Sequence, residues 1–482
     1  MLLGLRPSQL LASGHSSQPK RKHCAATRAA RIDDSLVQTP HRGYHFDGSS
    51  RRFFEGWYYK VTIPENGQSF ALIYSVEDPG LPGSKAGGVG VQVMGPDDGY
   101  ICQHTRSVSG FWADQNSLTL GATLQSRRSS PTGQRGGPSN SMLSKEEFNR
   151  RVETGFQASS TFQQGSIVAD ESSAPGDALS TTASASWEVA IKPIYGWGGG
   201  DSSRGGGSSN GGSRAIGSSS ENAGGLGGLF ANATSQKATA GWVSLLAVFE
   251  PHWQVLMSHG LASGHLQWGD TRYEFRDAPS YGEKNWGGGF PSKWHWVQCN
   301  TFVGQPNLSV TAVGARRQLL LGLQGSEEDV GMIGIHLDGQ FIELVPWTGE
   351  VSWDVDPWGR WLITASGPGY EARLEAECDA GAGQVLRAPT STDGLAAFCK
   401  DTFFGRCRLQ LWKRDGSGRR SDTPIVDAYS TTAALEVGGG PWWSAWRTKA
   451  EMKEPMRSLV QLPLDVSAIS KLIPSQLRPP GV

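Results

Sequence analysis

The chain has 482 residues and a formal net charge of −1, with 44 Lys+Arg against 45 Asp+Glu, so neither a nucleic acid nor another polyanion is an expected partner. Its length allows two or three domains with sizeable cores. The outlier is tryptophan: 18 residues, roughly three times ordinary usage, supply large flat apolar surfaces along the whole chain.

Residues 1–38 carry Arg6, Lys20, Arg21, Lys22, Arg28 and Arg31, with no acid before Asp33; this is the composition of an organelle transit peptide. From Tyr44 onward short runs such as "GWYYKVTI", "SFALIYSV", "ASWEVAIKPIYGW", "KWHWVQCNTF" and "GRWLITASG" gather β-branched and aromatic residues between Gly, Pro, Asn and Asp, the pattern of strands and turns. Helical spacing is scarce. "SKEEFNRRVETGF", capped by Ser144 with Glu147 three residues on, and "SAISKLI" near the C-terminus are the two candidates. Segments at about 125–141 and 198–240 are rich in Gly and Ser and read as insertions looping out of the scaffold. The expected fold is all-β, two lipocalin-like antiparallel β-barrels with few short helices: a first half over 39–290, a second over 291–465 and a tail at 466–482.

Six scattered cysteines lack C-x-x-C or zinc-finger spacing and are expected as free buried thiols. The longest apolar run, "WVSLLAVF", is too short to span a bilayer as a helix, so a soluble or peripheral protein is expected. "GSSNG" at 207–211 matches G-x-S-x-G but sits inside an insertion, away from any strand-to-helix turn, and no phosphate-binding G-x-x-x-x-G-K-[ST] occurs. What remains are polar-aromatic clusters: "HRGYHFDG", "FFEGWYYK", "FEPHWQVLMSHG" and "FRDAPSYGEKNWGGGFPSKWHWVQCN". A carboxylic acid among apolar neighbours is held protonated by desolvation and can act as a general acid, while indole and phenol faces stabilise a nearby cation by about 2 kcal/mol once water is excluded. An acid beside an aromatic cage is what protonation of an alkene requires; a barrel core with a satisfied carboxylate at its rim is the plainer alternative.

Long blocks in one order, among them "TPHRGYHFDGSSRRFFEGWYYKVTIPENGQSFALIYSVEDP", "PIYGWG", "VFEPHWQVLMSHGLASGHLQWGDTRYEFRDAPSYGEKNWGGGFPSKWHWVQCN", "LVPWTG", "LRAPTSTDGLA" and "EVGGGPWW", resemble the tocopherol cyclases of plant and algal plastids over about residues 39–482, the Gly/Ser insertions excepted. The resemblance implies an isomerase of vitamin E synthesis with no known cofactor. It would act on a prenylated benzoquinol in plastid lipid, at a plastoglobule or peripherally on a plastid membrane: the double bond nearest the ring is protonated and the phenolic oxygen captures the tertiary cation. A carotenoid-type hydratase and a non-catalytic prenyl-lipid carrier are the rival readings.

A wider resemblance ranks the acids. "FFEGWYYK", with Trp57 and Tyr58, is similar to the E-W-W-Y segment of carotenoid hydratases and their lipocalin-like relatives, and "YGEKNWG" to their D-H-x-W-G loop, where the Asp is the proposed acid. Glu283 takes that Asp position, Lys284 the His, Asn285 the variable site and Trp286 the Trp. On this basis the segment is expected as a loop at a barrel mouth, with Glu283 as proton donor, Asp277 as second-choice acid and Tyr281 orienting the phenol. Trp286, Trp294 and Trp296 are expected as cage residues, Asn285 and Lys284 as contacts to the quinol, and His252 with Glu250 as the base. Asp47 and Glu55 read as residues that hold turns together.

Overall fold

The computed structural model describes residues 39–481 apart from 82, 128–139, 171–178, 199–235, 246–249, 319–326, 440, 441, 443, 463, 467, 468, 470, 471 and 473–479. The transit segment, most of both insertions and most of "SAISKLI" lie outside the described residues. The all-β expectation holds. One antiparallel sheet takes β1 (Phe54–Ile63), β2 (Gln68–Glu77), β3 (Gly88–Met94), β4 (Tyr100–Thr105), β5 (Phe111–Ala113), β6 (Thr119–Ser126), β7 (Val152–Ser159), β8 (Phe162–Val168), β9 (Ser184–Tyr195), β10 (His252–Trp268) and β11 (Thr271–Gly287), in the spatial order β4-β3-β2-β1-β11-β10-β9-β8-β7-β6-β5. The second takes β12 (Lys293–Cys299), β13 (Leu308–Gln318), β14 (Glu327–Leu337), β15 (Gln340–Leu344), β16 (Glu350–Val355), β17 (Arg360–Gly367), β18 (Tyr370–Glu377), β19 (Gln384–Thr390), β20 (Gly394–Lys413), β21 (Val426–Gly439) and β22 (Trp446–Lys449), ordered β15-β14-β13-β12-β21-β20-β18-β17-β16-β22 with β19 paired to β20.

Each sheet curls back on itself, and one of its ends is tied to an inner part of the same sheet without a continuous ladder. At the β4 edge the N–H groups of Asp170 and Thr181, in the β8–β9 connection, donate to the carbonyls of Cys102 (3.0 Å) and Tyr100 (2.7 Å). Beyond β22, the N–H of Glu451 donates to the Asp329 carbonyl on β14 (3.0 Å), and the Thr448 hydroxyl donates to the Asp329 carboxylate (2.8 Å). Strand alternation then gives three apolar layers. Trp57, Tyr59, Tyr74 and Trp187 fill the first curl, Trp353, Trp361, Ile363 and Leu409 the second, and Tyr58, Tyr281, Val255, Trp294, Trp296 and Phe403 lie in a layer between the sheets. Polar straps cross that layer: Lys60 Nζ donates to Gln298 Oε1 (3.0 Å), Asn300 Nδ2 to the Ser280 carbonyl (2.9 Å), and the Phe403 N–H to Asp98 Oδ1 (2.9 Å).

Two α-helices occur among the described residues, α1 (Lys145–Arg151) and α2 (Met456–Val460). Ser144 caps α1 as expected, its hydroxyl accepting from the Glu147 N–H at 3.2 Å. The helix stops at Arg151, where Val152 opens β7, so the end of "SKEEFNRRVETGF" is strand. Gly155 in that strand has φ +147°, and a Cβ there would meet the Ala122 carbonyl at 2.1 Å. The five described cysteines are free and buried. No helix of the described residues is long and apolar enough to cross a membrane.

Candidate active site

The segment "SYGEKNWGGGF" is strand up to Gly287, not a loop. Both neighbours pair across it: Tyr58 and Val255 stand opposite Glu283, and Phe54 opposite Gly287. The glycines serve the protein backbone rather than a ligand. Gly287 has φ +140° and packs on the Glu250 side chain, and a Cβ on Gly289 would lie 2.7 Å from the Ser391 nitrogen.

Because side chains alternate along a strand, Tyr281, Glu283 and Asn285 face the second sheet, and Lys284 and Trp286 face away. Glu283 and Asn285 enter a cavity of about 160 Å³ between the sheets, whose walls include Trp253, Phe290, Trp294, Trp296 and Trp347 together with His252, Ser244, Arg317 and Glu436. A wider groove of about 760 Å³ around Glu350, Arg414, Lys449 and Arg457 has no aromatic side chain in its lining and so no surface to shelter a carbocation.

Glu283 is 9 % exposed. Its Oε2 accepts from the Tyr281 hydroxyl (2.6 Å) and the Trp253 indole N–H (2.8 Å). Burial raises its pKa above the usual carboxylate range, and these hydrogen bonds oppose the rise without cancelling it. Tyr281 thus holds Glu283; its hydroxyl is committed to the carboxyl and does not line the cavity.

A second acid, which the sequence reading did not single out, shares the cavity. Glu436 on β21 stands opposite Trp296 on β12 and Asp401 on β20, and accepts from the Trp294 indole N–H. The Trp294 ring fits there because residue 438 is Gly, where a Cβ would lie 1.9 Å from the indole. Burial, reinforced by the charge of Glu283, lifts Glu436 to about 7. Asp401 behind it is fully buried with no hydrogen bond to either carboxyl oxygen, and burial drives its pKa well up. Tyr58 faces this same layer, 5.5 Å from Trp296 in an edge-on contact. The sequence signal for Glu436 was its place in "LEVGGGPWW", but strand pairing between residues far apart in the chain is what brings it to Glu283.

Trp294, Trp296 and Asn285 line the cavity, as does His252. His252 is a neutral imidazole: burial lowers its pKa to about 4, with Arg317 and Arg51 adding to the effect. Its expected partner is elsewhere, since Glu250 accepts from Arg51 Nη1 at 3.0 Å. Four further expectations are corrected. Asp277 has φ +49° and a 67 % exposed side chain beside Arg276, and it does not line the cavity. Lys284 points to the opposite face, fully buried, donating to Glu55 and to the Gly43 carbonyl (2.6 Å). Trp286 is sandwiched there, stacked on His45 at 3.9 Å and His252 at 4.9 Å. Trp57 belongs to the first curl's core, with the Lys284 ammonium 5.5 Å over its ring.

That opposite face carries a polar cluster. Glu55 accepts from the His45 N–H at 2.8 Å, fixing the "HRGYHFDG" turn, and Asp47 likewise accepts from the Ser49 N–H at 2.9 Å. Among the described residues no group of three or more His, Cys, Asp and Glu is arranged to hold a metal.

Comparison with known proteins gives the family of the chain. The family model described as "Tocopherol cyclase-like" matches residues 51–439. A chloroplastic tocopherol cyclase of Zea mays is 41 % identical over 461 residues, 93 % of this chain and 87 % of that protein. A probable chloroplastic tocopherol cyclase of Oryza sativa subsp. japonica is 40 % identical over 462 residues, 93 % and 88 % of the two chains. Among solved structures, CghA with Sch210972 is 10 % identical with a TM-score of 0.38, covering 81 % of this chain and 90 % of that one. The chain belongs to the tocopherol cyclase-like family.

Proposed function

We propose that the cavity between the sheets closes the chromanol ring of a methylated prenyl-benzoquinol, with Glu283 as the proton donor. Tocopherol cyclisation is the activity of the family, an isomerisation in which substrate and product have the same atoms. The observation that carries the assignment is the Glu283 carboxyl in an indole-lined cavity, with two donors converging on Oε2. Burial raises the pKa of Glu283 and of the neighbouring Glu436 alike, so the two carboxyls together hold a proton that Glu283 can deliver into the cavity. Transfer of this proton to the double bond nearest the ring creates a tertiary cation, and the faces of Trp253, Trp294 and Trp296 stabilise it by about 2 kcal/mol where water is excluded. The phenolic oxygen then forms the C–O bond.

Both named relatives are chloroplastic, and this chain is placed in the chloroplast with them. Within it, we place the protein at a plastoglobule or peripherally on a plastid membrane, because a prenylated quinol partitions into lipid. The test is turnover of a methylated prenyl-benzoquinol in heavy water. The native protein is expected to yield chromanol with deuterium on the carbon next to the new ether-bearing carbon. Glu283→Gln is expected to bind the quinol normally and turn over at least ~10²-fold more slowly. Normal turnover by Glu283→Gln would remove Glu283 as the donor; a tertiary alcohol in place of chromanol would mean that water, not the phenol, traps the cation.

A further inference from the structure

Ring closure also needs a group to take the phenolic proton, and the cavity wall holds a hydroxyl with a continuous hydrogen-bonded chain behind it. Ser244 lines the cavity. Its Oγ lies 2.7 Å from His41 Nε2; His41 Nδ1 lies 3.2 Å from His45 Nε2; His45 Nδ1 lies 3.2 Å from Glu55 Oε1. All four residues are buried. Glu55 can only accept when ionised. If His45 therefore carries its hydrogen on Nδ1, its Nε2 accepts from His41 Nδ1–H, and His41 Nε2 is left to accept from the Ser244 hydroxyl. Lys284 supports the far end, donating to Glu55 with its Nζ 3.2 Å from His45 Nδ1.

We propose that Ser244 is the catalytic residue that receives the phenolic proton of the quinol, and that His41, His45 and Glu55 are positioning residues that carry that proton away from the cavity. The proposal rests on the cyclase reading above. The Ser244 hydroxyl also lies 2.7 Å from the Gly241 carbonyl; a phenol donating to Oγ turns the serine hydrogen toward His41 instead. The bonds balance. The proton on Glu283 adds to the alkene, the phenolic oxygen forms the C–O bond, and its O–H breaks as the hydrogen passes to Ser244 Oγ. The serine hydrogen moves to His41 Nε2, and matching shifts along the two imidazoles deliver one proton to Glu55. After the product leaves, the same relay run in reverse returns that proton through Ser244 and water in the vacated cavity to the Glu283 carboxylate, and no net proton is consumed.

Two features favour this chain over His252 in the same wall. The oxygen that has just captured a carbocation is a strongly acidic oxonium, so burial-weakened imidazoles are basic enough to take its proton and weak enough to release it. The chain also passes the proton on to a carboxylate, because Lys284 disfavours the charged forms of His41 and His45. Glu55 holds it only transiently, since its protonation leaves the buried Lys284 ammonium unpaired. A protonated His252 would be an end point facing the guanidinium groups of Arg317 and Arg51.

The experiment compares the native protein, Ser244→Ala, Ser244→Thr and His252→Gln in steady-state chromanol formation, with quinol binding measured separately and rates taken across mixtures of light and heavy water. Ser244→Ala is expected to lose ~10²-fold or more in kcat with KM within about twofold. Ser244→Thr, which keeps the hydroxyl, is expected to recover most of the loss. The bowed dependence on deuterium fraction expected of several protons moving together should become linear in Ser244→Ala. Unchanged kcat in Ser244→Ala, a loss confined to KM, or a loss in His252→Gln with Ser244→Ala normal would each overturn the relay. If the native protein forms no chromanol, the cyclase reading fails; if it does and Ser244→Ala matches it, only the relay fails.

Discussion

The Tyr281 hydroxyl donates a 2.6 Å hydrogen bond to the carboxyl of Glu283, two residues along the same face of β11. This donor favours the ionised form of Glu283, opposing the burial that raises its pKa. Activity that needs protonated Glu283 is lost as pH rises through that pKa. Tyr281→Phe removes the opposing bond, so the alkaline limb of the kcat profile is expected to move to higher pH, with KM little changed and kcat at neutral pH reduced by about tenfold through loss of alignment. A limb that moves to lower pH would show that Tyr281 does not act through Glu283.

Glu436 should push the same limb the other way. Its charge and that of Glu283 disfavour each other, so Glu436→Gln lowers the Glu283 pKa and shifts the alkaline limb of the same profile to lower pH.

Glu436 also gives a stability signature. A carboxyl lifted from 4.5 to about 7 holds its proton more tightly folded than unfolded. Stability is therefore expected to fall as pH rises between about 4.5 and 7 and to level off above that window, a loss of at most about 3 kcal/mol. Urea unfolding of Glu436→Gln across the window should give a flatter curve than the native protein; equal slopes would count against the shift.

Lys284 and Glu55 are both 0 % exposed, and removing one partner of such a pair strands a buried charge. Lys284→Met is expected to cost about 3–5 kcal/mol, and a second change, Glu55→Leu, to restore part of it. Because Lys284 points away from the cavity, the folded Lys284→Met protein should retain the native KM for quinol. A large rise in KM with intact folding would return Lys284 to the substrate.

Gly198 and Gln236 form a β-bridge, and the Lys237 N–H donates to the Trp197 carbonyl at 2.6 Å. The ends of the intervening segment therefore lie side by side, and loop length alone costs little. Replacing residues 200–234 with a short Gly/Ser bridge is expected to leave kcat and thermal midpoint close to native. Extending the deletion to Thr239 or Ala240, which line the cavity, should reduce activity, and this marks where the sequence reading of an insertion reaching residue 240 extends too far.

Local pattern carried most of the fold. The runs around Trp57, Trp187 and Trp361 alternate clearly enough to be read as strands, and the Ser144 cap was legible from its spacing to Glu147. Glu283 could be singled out because it sits in a recognisable segment. The contents of the cavity were harder to read: Glu436 lies 153 positions after Glu283 in the numbering, and Ser244 gains its meaning only when His41, far upstream, folds beside it. Lys284, Trp286 and Trp57 were misplaced for one shared reason. Resemblance assigns residues to a segment, whereas strand parity decides which side of the sheet each one faces.

That parity makes β11 intolerant of a change in frame. Deleting or inserting a single residue between Ala278 and Gly282 would exchange the two faces at Glu283, driving an ammonium into the apolar cavity and a carboxyl into the site that now holds Lys284. Such a lesion removes the acid and unbalances the pair beneath it together, although every residue type that the chemistry needs is still present in the chain. Drift of this kind in related sequences would thus be recognisable from residue count alone, before any single substitution is weighed.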